Sequence, residues 1–207
     1  MITLLGFPKF ALGFSKSLAT VGCVSRRSYD HYCTVSRALD VVGDRWSLLV
    51  VRELLAGPRR YSDLFADLPG ISTDMLAARL KDLEREGIVT RETGGHRVSL
   101  YELTESGRKL RPVLEALSGW GVEHLGERQP TDAVRAHWFA MPLAPHVAAL
   151  VPDGEVTLHI GDTTLSYRVA DGVATSIERG ADDPRLELHL DVATATDIVN
   201  GRRSLNA

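Results

Sequence analysis

The chain has 207 residues, 44% of them hydrophobic and 25% charged, with a formal net charge of −3. This is the composition of an ordinary globular protein large enough for two modest domains, and two cysteines, Cys23 and Cys33, exclude a disulfide framework. Residues 1–130 carry 18 Lys+Arg against 16 Asp+Glu, whereas residues 131–207 carry 6 against 11 and no lysine, so a polyanion contact belongs to the front of the chain.

Residues 1–22 are apolar, but Pro8, Lys9 and Lys16 interrupt them well short of the ~20 residues a membrane span needs. Lys16 also breaks the apolar core that a signal peptide ending at Thr20-Val21-Gly22-Cys23 would require. Residues 1–28 are expected to be a tail or a start assigned too far upstream, with Val24 as an alternative start. The expected protein is cytoplasmic and makes no membrane contact. Two helical stretches follow between Thr34 and Ala56, broken at Gly43-Asp44, with Asp44 as N-cap of the second and Trp46, Leu49 and Val50 as its apolar stripe. Gly57-Pro58-Arg59-Arg60 reads as a tight basic corner.

Tyr61 to Leu68 forms a short helix, Pro69-Gly70 a turn, and Ile71-Ser72-Thr73-Asp74 the opening of a second helix. In that helix Leu76, Leu80 and Leu83 recur at core spacing, which turns Thr73, Asp74, Ala77, Ala78 and Lys81 to the other side. Small and polar residues on such a face can approach base edges in a major groove. The segments Ile88–Arg91 and Arg97–Leu103, hinged at Gly94-Gly95, read as a hairpin with Arg91, His96 and Arg97 near its tip, cations suited to phosphates or a minor groove. Order along the chain is therefore helix, turn, helix, wing. From Thr104 a long helix is expected, with Leu110, Val113, Leu114, Leu117 and Trp120 at helical spacing. One face suffices for the winged domain, which leaves the rest for a second subunit.

Gly126 to Thr131 is a polar linker ending at a proline. Helical stretches are expected from Asp132 to about Phe139 and from His146 to Leu150. Four alternating strands follow, around Val156–Ile160, Leu165–Val169, Val173–Ile177 and Leu186–Leu190, with Asp171-Gly172 as a two-residue hairpin turn. These predict a one-faced antiparallel meander, closed by a helix from Val192 to about Val199 that Asp191 caps. The fold class is α+β: a winged helix-turn-helix domain at 29–127 and a small antiparallel sheet-plus-helix domain at 131–207.

Tyr32-Cys33 through Asp44-Arg45-Trp46, Arg52-Glu-Leu-Leu-Ala-Gly-Pro-Arg-Arg-Tyr-Ser-Asp-Leu64, Leu80-Lys-Asp-Leu-Glu-Arg-Glu-Gly87 and Tyr101-Glu-Leu-Thr-Glu-Ser-Gly107 occur in order over about residues 30–125. In this respect the chain resembles the HxlR family of bacterial transcription regulators. The resemblance implies a winged helix-turn-helix homodimer bound to double-stranded DNA, with Arg59, Arg60, Ser72, Thr73, Lys81, Arg91 and Arg97 where that architecture meets it. The reading of the residues adds Asp74 and His96. Members of this family often carry a cysteine at the place of Cys33, followed by proline, and some sense oxidants or electrophiles through it; here Thr34 replaces the proline. Cys33 is thus the redox-sensing candidate, and an inert cysteine at the domain edge is the alternative.

From about Ala133 onward the chain resembles a sterol-carrier-protein type 2 domain, an antiparallel sheet covered by helices around an apolar tunnel. That family continues with a further strand and helix, so the expectation is a shortened domain with a partly open apolar face. Leu158, Leu165, Tyr167, Leu188 and Leu190 are the candidate pocket for a small apolar, neutral effector. No recognisable nucleophile, base and orienting group, and no metal-ligand spacing, points to an enzyme, a metal or a cofactor. His137, His146, His159 and His189 are dispersed along the chain. The function expected is transcriptional regulation from an inverted-repeat operator. The alternative is a small-molecule or lipid-binding protein whose winged domain mediates only protein contacts.

Overall fold

The structure is a computed structural model that describes residues 28–93, 99–177 and 180–205. Helices α1 (Thr34–Val42) and α2 (Ser47–Leu54) lead into a two-residue strand β1 (Arg59–Arg60), α3 (Tyr61–Asp67), α4 (Thr73–Arg85) and the hairpin β2 (Val89–Thr93) and β3 (Ser99–Leu103). The three strands form a sheet in the order β1-β3-β2, all antiparallel. One core unites these elements: Val50, Leu64, Leu76, Leu80, Leu83 and Leu103 are all buried within it.

Two expectations change here. Asp44 does not cap α2, which begins at Ser47 behind Trp46; its carboxylate pairs instead with Arg79 of α4. The helix expected from Thr104 is two helices, α5 (Glu105–Arg108), capped by the Thr104 hydroxyl, and α6 (Arg111–Val122). Gly107 explains the tight first piece, because a Cβ there would lie 2.2 Å from the carbonyl oxygen of Ile88. The chain must pass against β2, and only glycine permits it.

Beyond residue 130 a 3₁₀ turn (Ala136–Phe139) runs directly into α7 (Ala140–Ala148), so the two separate helices expected there form one continuous segment. Strands β4 (Gly154–Ile160), β5 (Thr163–Ala170), β6 (Val173–Ile177) and β7 (Leu186–Leu190) form a sheet ordered β6-β5-β4-β7, and α8 (Val192–Val199) closes it. The turn between β5 and β6 has Asp171 at φ 52° and Gly172 at φ 74°, the doubly positive backbone that matches strand twist in a two-residue hairpin. The sheet is not a pure antiparallel meander, since β7 lies parallel to β4. Local alternation fixes that a segment is a strand, whereas its direction beside a distant partner depends on the connection of residues 178–185.

The apolar face of this sheet is covered over β4 and β5 and only partly exposed along β7. Helix α7 packs over β5 and β6 and α8 packs on α7, leaving Leu158 and Tyr167 fully buried and Leu165 nearly so, while Leu188 and Leu190 are partly buried beside them. The buried Tyr167 hydroxyl donates to the carbonyl of Ala140 at 2.9 Å, which satisfies the one polar atom on that ring. Burial pushes its ionisation well above the ordinary tyrosine value. Leu158 and Tyr167 thus lie in a filled core, Leu188 and Leu190 at its partly exposed edge, and Leu165 also borders a cavity.

Candidate nucleic-acid interface

Helix α4 is built as its sequence period demands. Leu76, Leu80 and Leu83 are each at most 2% exposed, whereas Thr73, Asp74, Ala77, Ala78 and Lys81 are all exposed on the opposite face. Burying three leucines contributes about 1.5–3 kcal/mol each and fixes the rotation of the helix, so its small and polar side points away from the protein. The Ser72 hydroxyl accepts from the Met75 N–H at 3.3 Å, and the Tyr61 hydroxyl donates to the carbonyl of Thr73 at 2.8 Å, tying α3 to the start of α4. Ser72 is therefore a capping residue as well as a member of the exposed face.

The two arginines of the expected basic corner are separated by the strand they form. Consecutive residues in a strand point to opposite faces. Arg59 pairs in register with Tyr101 and Arg60 with Leu100. Arg60 is exposed, and its N–H donates to the Asp63 carboxylate at 3.3 Å to open α3. Arg59 is half-buried, 3.8 Å from Asp67, and borders a cavity. Of the pair, only Arg60 keeps the position expected of a DNA-facing cation. Arg91 is exposed on β2, donates to the Ser99 hydroxyl at 2.9 Å and lies 5.7 Å from the centre of the Tyr101 ring. His96 and Arg97 lie outside the described residues.

Rows of apolar side chains are exposed on two helices, besides single ones at Phe65 of α3 and Met75 of α4. Val113, Leu117 and Trp120 mark one side of α6, and Tyr32, Val35 and Leu39 mark the start and side of α1. Both rows follow helical spacing, and Trp120 is 63% exposed. Cys33, also exposed, is the N-cap residue of α1. Hydrogen bonds from the backbone N–H groups of Ser36 and Val35 and from the Ser36 side chain hold its thiol below the ordinary cysteine value.

The junction between the two parts of the chain was not foreseen from the sequence. Glu53 of α2 is 1% exposed, yet its carboxylate accepts from Arg52 Nη2 at 2.6 Å and Trp138 Nε1 at 2.9 Å through one oxygen, and contacts His137 Nε2 at 2.6 Å through the other. Burial opposes ionisation of Glu53, but the His137 hydrogen bond and the Arg52 charge outweigh it and hold the carboxyl below its usual value. Arg52 also lies over the Trp138 ring, 4.4 Å from its centre. Arg135 donates to the carbonyl of Ala66 at 3.0 Å and pairs with Asp67, while Arg111 reaches Ser176 at 2.7 Å. Glu53, Asp67 and His137 bring possible metal-ligand atoms within 4.8 Å of one another. Because Arg52, Arg59 and Arg135 are already paired with those carboxylates, the group is an ion-pair network. The available signal was Glu53 itself, three residues after Val50 and next to Leu54 on the buried side of α2.

Among the described residues, no helix is long and apolar enough to cross a membrane. Residues 41–129 match the family profile described as HxlR-like helix-turn-helix. The HTH-type transcriptional regulator sll1512 of Synechocystis sp., itself uncharacterized, is 41% identical over 98 residues, which are 46% of this chain and 72% of that protein. YvaP of Bacillus subtilis, another uncharacterized HTH-type regulator, is 40% identical over 90 residues, 42% of this chain and 82% of its own. The solved structure of the redox regulator HypR in its oxidized form is 32% identical, covering 47% of this chain and 99% of that chain with a TM-score of 0.43. With a matched profile across the winged part and relatives spanned over most of their length, the chain belongs to the HxlR-like helix-turn-helix family and is a DNA-binding transcriptional regulator.

Proposed function

We propose that the protein acts as a homodimer on an inverted-repeat operator, with one α4 in each of two successive major grooves and the β2–β3 hairpin beside the flanking backbone. The observation that carries this reading is the division of exposed surface. Apart from Met75 the exposed side of α4 is small and polar, whereas α6 and α1 expose the apolar rows that a second copy would cover. Thr73, Asp74 and Lys81 are the base-reading candidates; Arg60, Ser72 and Arg91, with His96 and Arg97, are the positioning ones. Sedimentation of the full chain at micromolar concentration, joined to gel-shifts on its upstream DNA, tests the proposal. A dimer with half-sites about 34–36 Å apart and binding that weakens steeply with salt is expected. A monomer, or equal binding to random DNA, overturns it.

Within this reading residues 29–127 form the DNA-binding and dimerisation unit and residues 131–207 an effector unit of sterol-carrier-like build. The sheet covered by α7 and α8 supports that second assignment. Cys33 is a second point of control: it is exposed at the N-cap position of α1, and its thiol ionises below the ordinary cysteine value, which favours the thiolate that reacts with oxidants.

A further inference from the structure

A cavity of about 220 Å³ opens between the winged part and the C-terminal sheet. Neither part could form it alone, because Arg52, Leu55 and Arg59 make one wall and Met141, Leu165 and Ser176 are among the residues that make the other. We propose that this cavity binds a small organic monocarboxylate with a compact apolar body, and that the winged part supplies its counter-charge.

Charge at the junction is the first argument. Beside the cavity and along the junction, the guanidiniums of Arg52, Arg59, Arg111 and Arg135 gather around the carboxylates of Glu53 and Asp67. The network carries more positive than negative charge, in a recess where charges are poorly screened. Arg59 borders the cavity directly, and its contact with Asp67 at 3.8 Å is beyond hydrogen-bond range. A carboxylate entering the cavity offers Arg59 the two parallel hydrogen bonds that its planar fork matches.

Walls and volume supply the rest. Leu55, Met141, Leu165 and Ile177 give the cavity apolar lining, and Thr164 and Ser176 are polar residues at its border. That mixture suits a molecule with one charged end and an apolar body, and disfavours a bare inorganic anion. The volume is below the ~300–1,000 Å³ of pockets that take drug-sized ligands, which limits the occupant to a small acid. The arginines that line the cavity, Arg52 and Arg59, come from α2 and β1 of the winged part, whereas Arg168 of the sheet is paired with Glu155.

The position also couples the site to DNA, a consequence that rests on the proposed regulatory function. Arg59 stands two residues before α3, next to its N-cap Arg60, and α3 is bonded to the start of α4 through Tyr61 and Thr73. A ligand that draws on Arg59 and touches both parts changes the free energy of the arrangement that holds α3, and operator affinity changes with it.

Cyclohexanecarboxylate and its uncharged amide, cyclohexanecarboxamide, differ in charge but hardly in shape, and both can be titrated calorimetrically into the full chain. One carboxylate per chain should bind, with the amide weaker by about tenfold or more. Arg59→Gln should weaken the acid about tenfold and leave the amide unchanged, and Ala56→Phe, which fills the cavity from its exposed rim, should weaken both. Equal binding of acid and amide, binding of inorganic phosphate as tight as that of the acid, or no heat from the acid at about 10 mM overturns the site. Gel-shifts without ligand on the same preparation test the DNA-binding reading separately. Acid that binds without altering operator affinity overturns the coupling alone.

Discussion

Replacing Glu53 by Gln removes a charge without changing shape, at the one carboxylate where α2 meets the C-terminal part. In the native chain it receives the Arg52 guanidinium at 2.6 and 2.9 Å and the Trp138 indole N–H at 2.9 Å, and contacts His137 at 2.6 Å, while being 1% exposed. Removing one partner of a buried ion pair costs about 3–5 kcal/mol. Here the loss should be lower, about 2–3 kcal/mol, because a Gln carbonyl still accepts one of these bonds and because the Arg52 and His137 side chains, 23% and 20% exposed, can regain water. For a chain of this size that corresponds to a fall in Tm of roughly 5–10 °C. Urea unfolding followed by circular dichroism gives the energy, and tryptophan emission reports the wetting of Trp138. The pH dependence has a definite sign. The carboxyl of Glu53 ionises below its ordinary value of 4.5 in the folded chain, so its contribution is complete above that pH and is lost as pH falls through the lower folded value. Glu53→Gln should abolish that part of the acid sensitivity. A change of less than about 0.5 kcal/mol, the level of an ordinary surface substitution, with native tryptophan emission would refute the junction as described.

Lys81→Ala and Arg60→Ala should both weaken operator binding and reduce its salt slope, but only Lys81→Ala should also relax base preference, as competitive gel-shifts on single-base operator variants would read. Ser72→Ala should cost about 1 kcal/mol in urea unfolding through loss of the α4 cap, and an unchanged midpoint would show that the Met75 N–H finds another partner. Trp120→Asp places a charge in the exposed row of α6 and should shift sedimentation toward the monomer while leaving the circular dichroism spectrum native. Cys33→Ser should keep DNA binding under reducing conditions and make it indifferent to diamide; equal sensitivity in both proteins would assign Cys33 to packing alone.

The winged part was legible because its elements are defined locally. The spacing of Leu76, Leu80 and Leu83 sets which side of α4 is buried, and no distant residue can reverse that without opening the core. Asp171-Gly172 and Asp191 likewise signal a turn and a cap through their own backbone chemistry, and both occur. What escaped depends on long-range partners. Arg59 and Arg60 look equivalent until β1 pairs with β3 and turns them to opposite faces. The direction of β7 beside β4 is invisible to alternation, and the apolar face of the sheet looked open because no pattern in α7 and α8 tells which surface they cover. His137, dismissed because no other histidine lies near it in sequence, finds its partner 84 residues away. Electrostatic partners at that separation leave no periodic trace.

On the proposed reading, in which residues 131–207 form an effector unit and α4 reads DNA, the contacts of α3 would give the C-terminal part its leverage. This first helix of the DNA-reading pair begins at Tyr61, immediately after the strand that carries Arg59 to the cavity. At its other end Arg135 donates to the carbonyl of Ala66 and pairs with Asp67. A cation at a helix C-terminus satisfies carbonyls that have no partner within the helix and complements its dipole, so Arg135 both stabilises α3 and ties it to the segment preceding α7. The tie extends from α3 to the reading helix through the hydrogen bond from Tyr61 to Thr73. A shift of the C-terminal part therefore bears on α3, and on α4 through it, while the β2–β3 hairpin is reached through the pairing of β1 with β3 and the packing of α2 and α3 on β3. Control exerted from residues 131–207 should accordingly appear first in the angle of α4, and only secondarily in the wing.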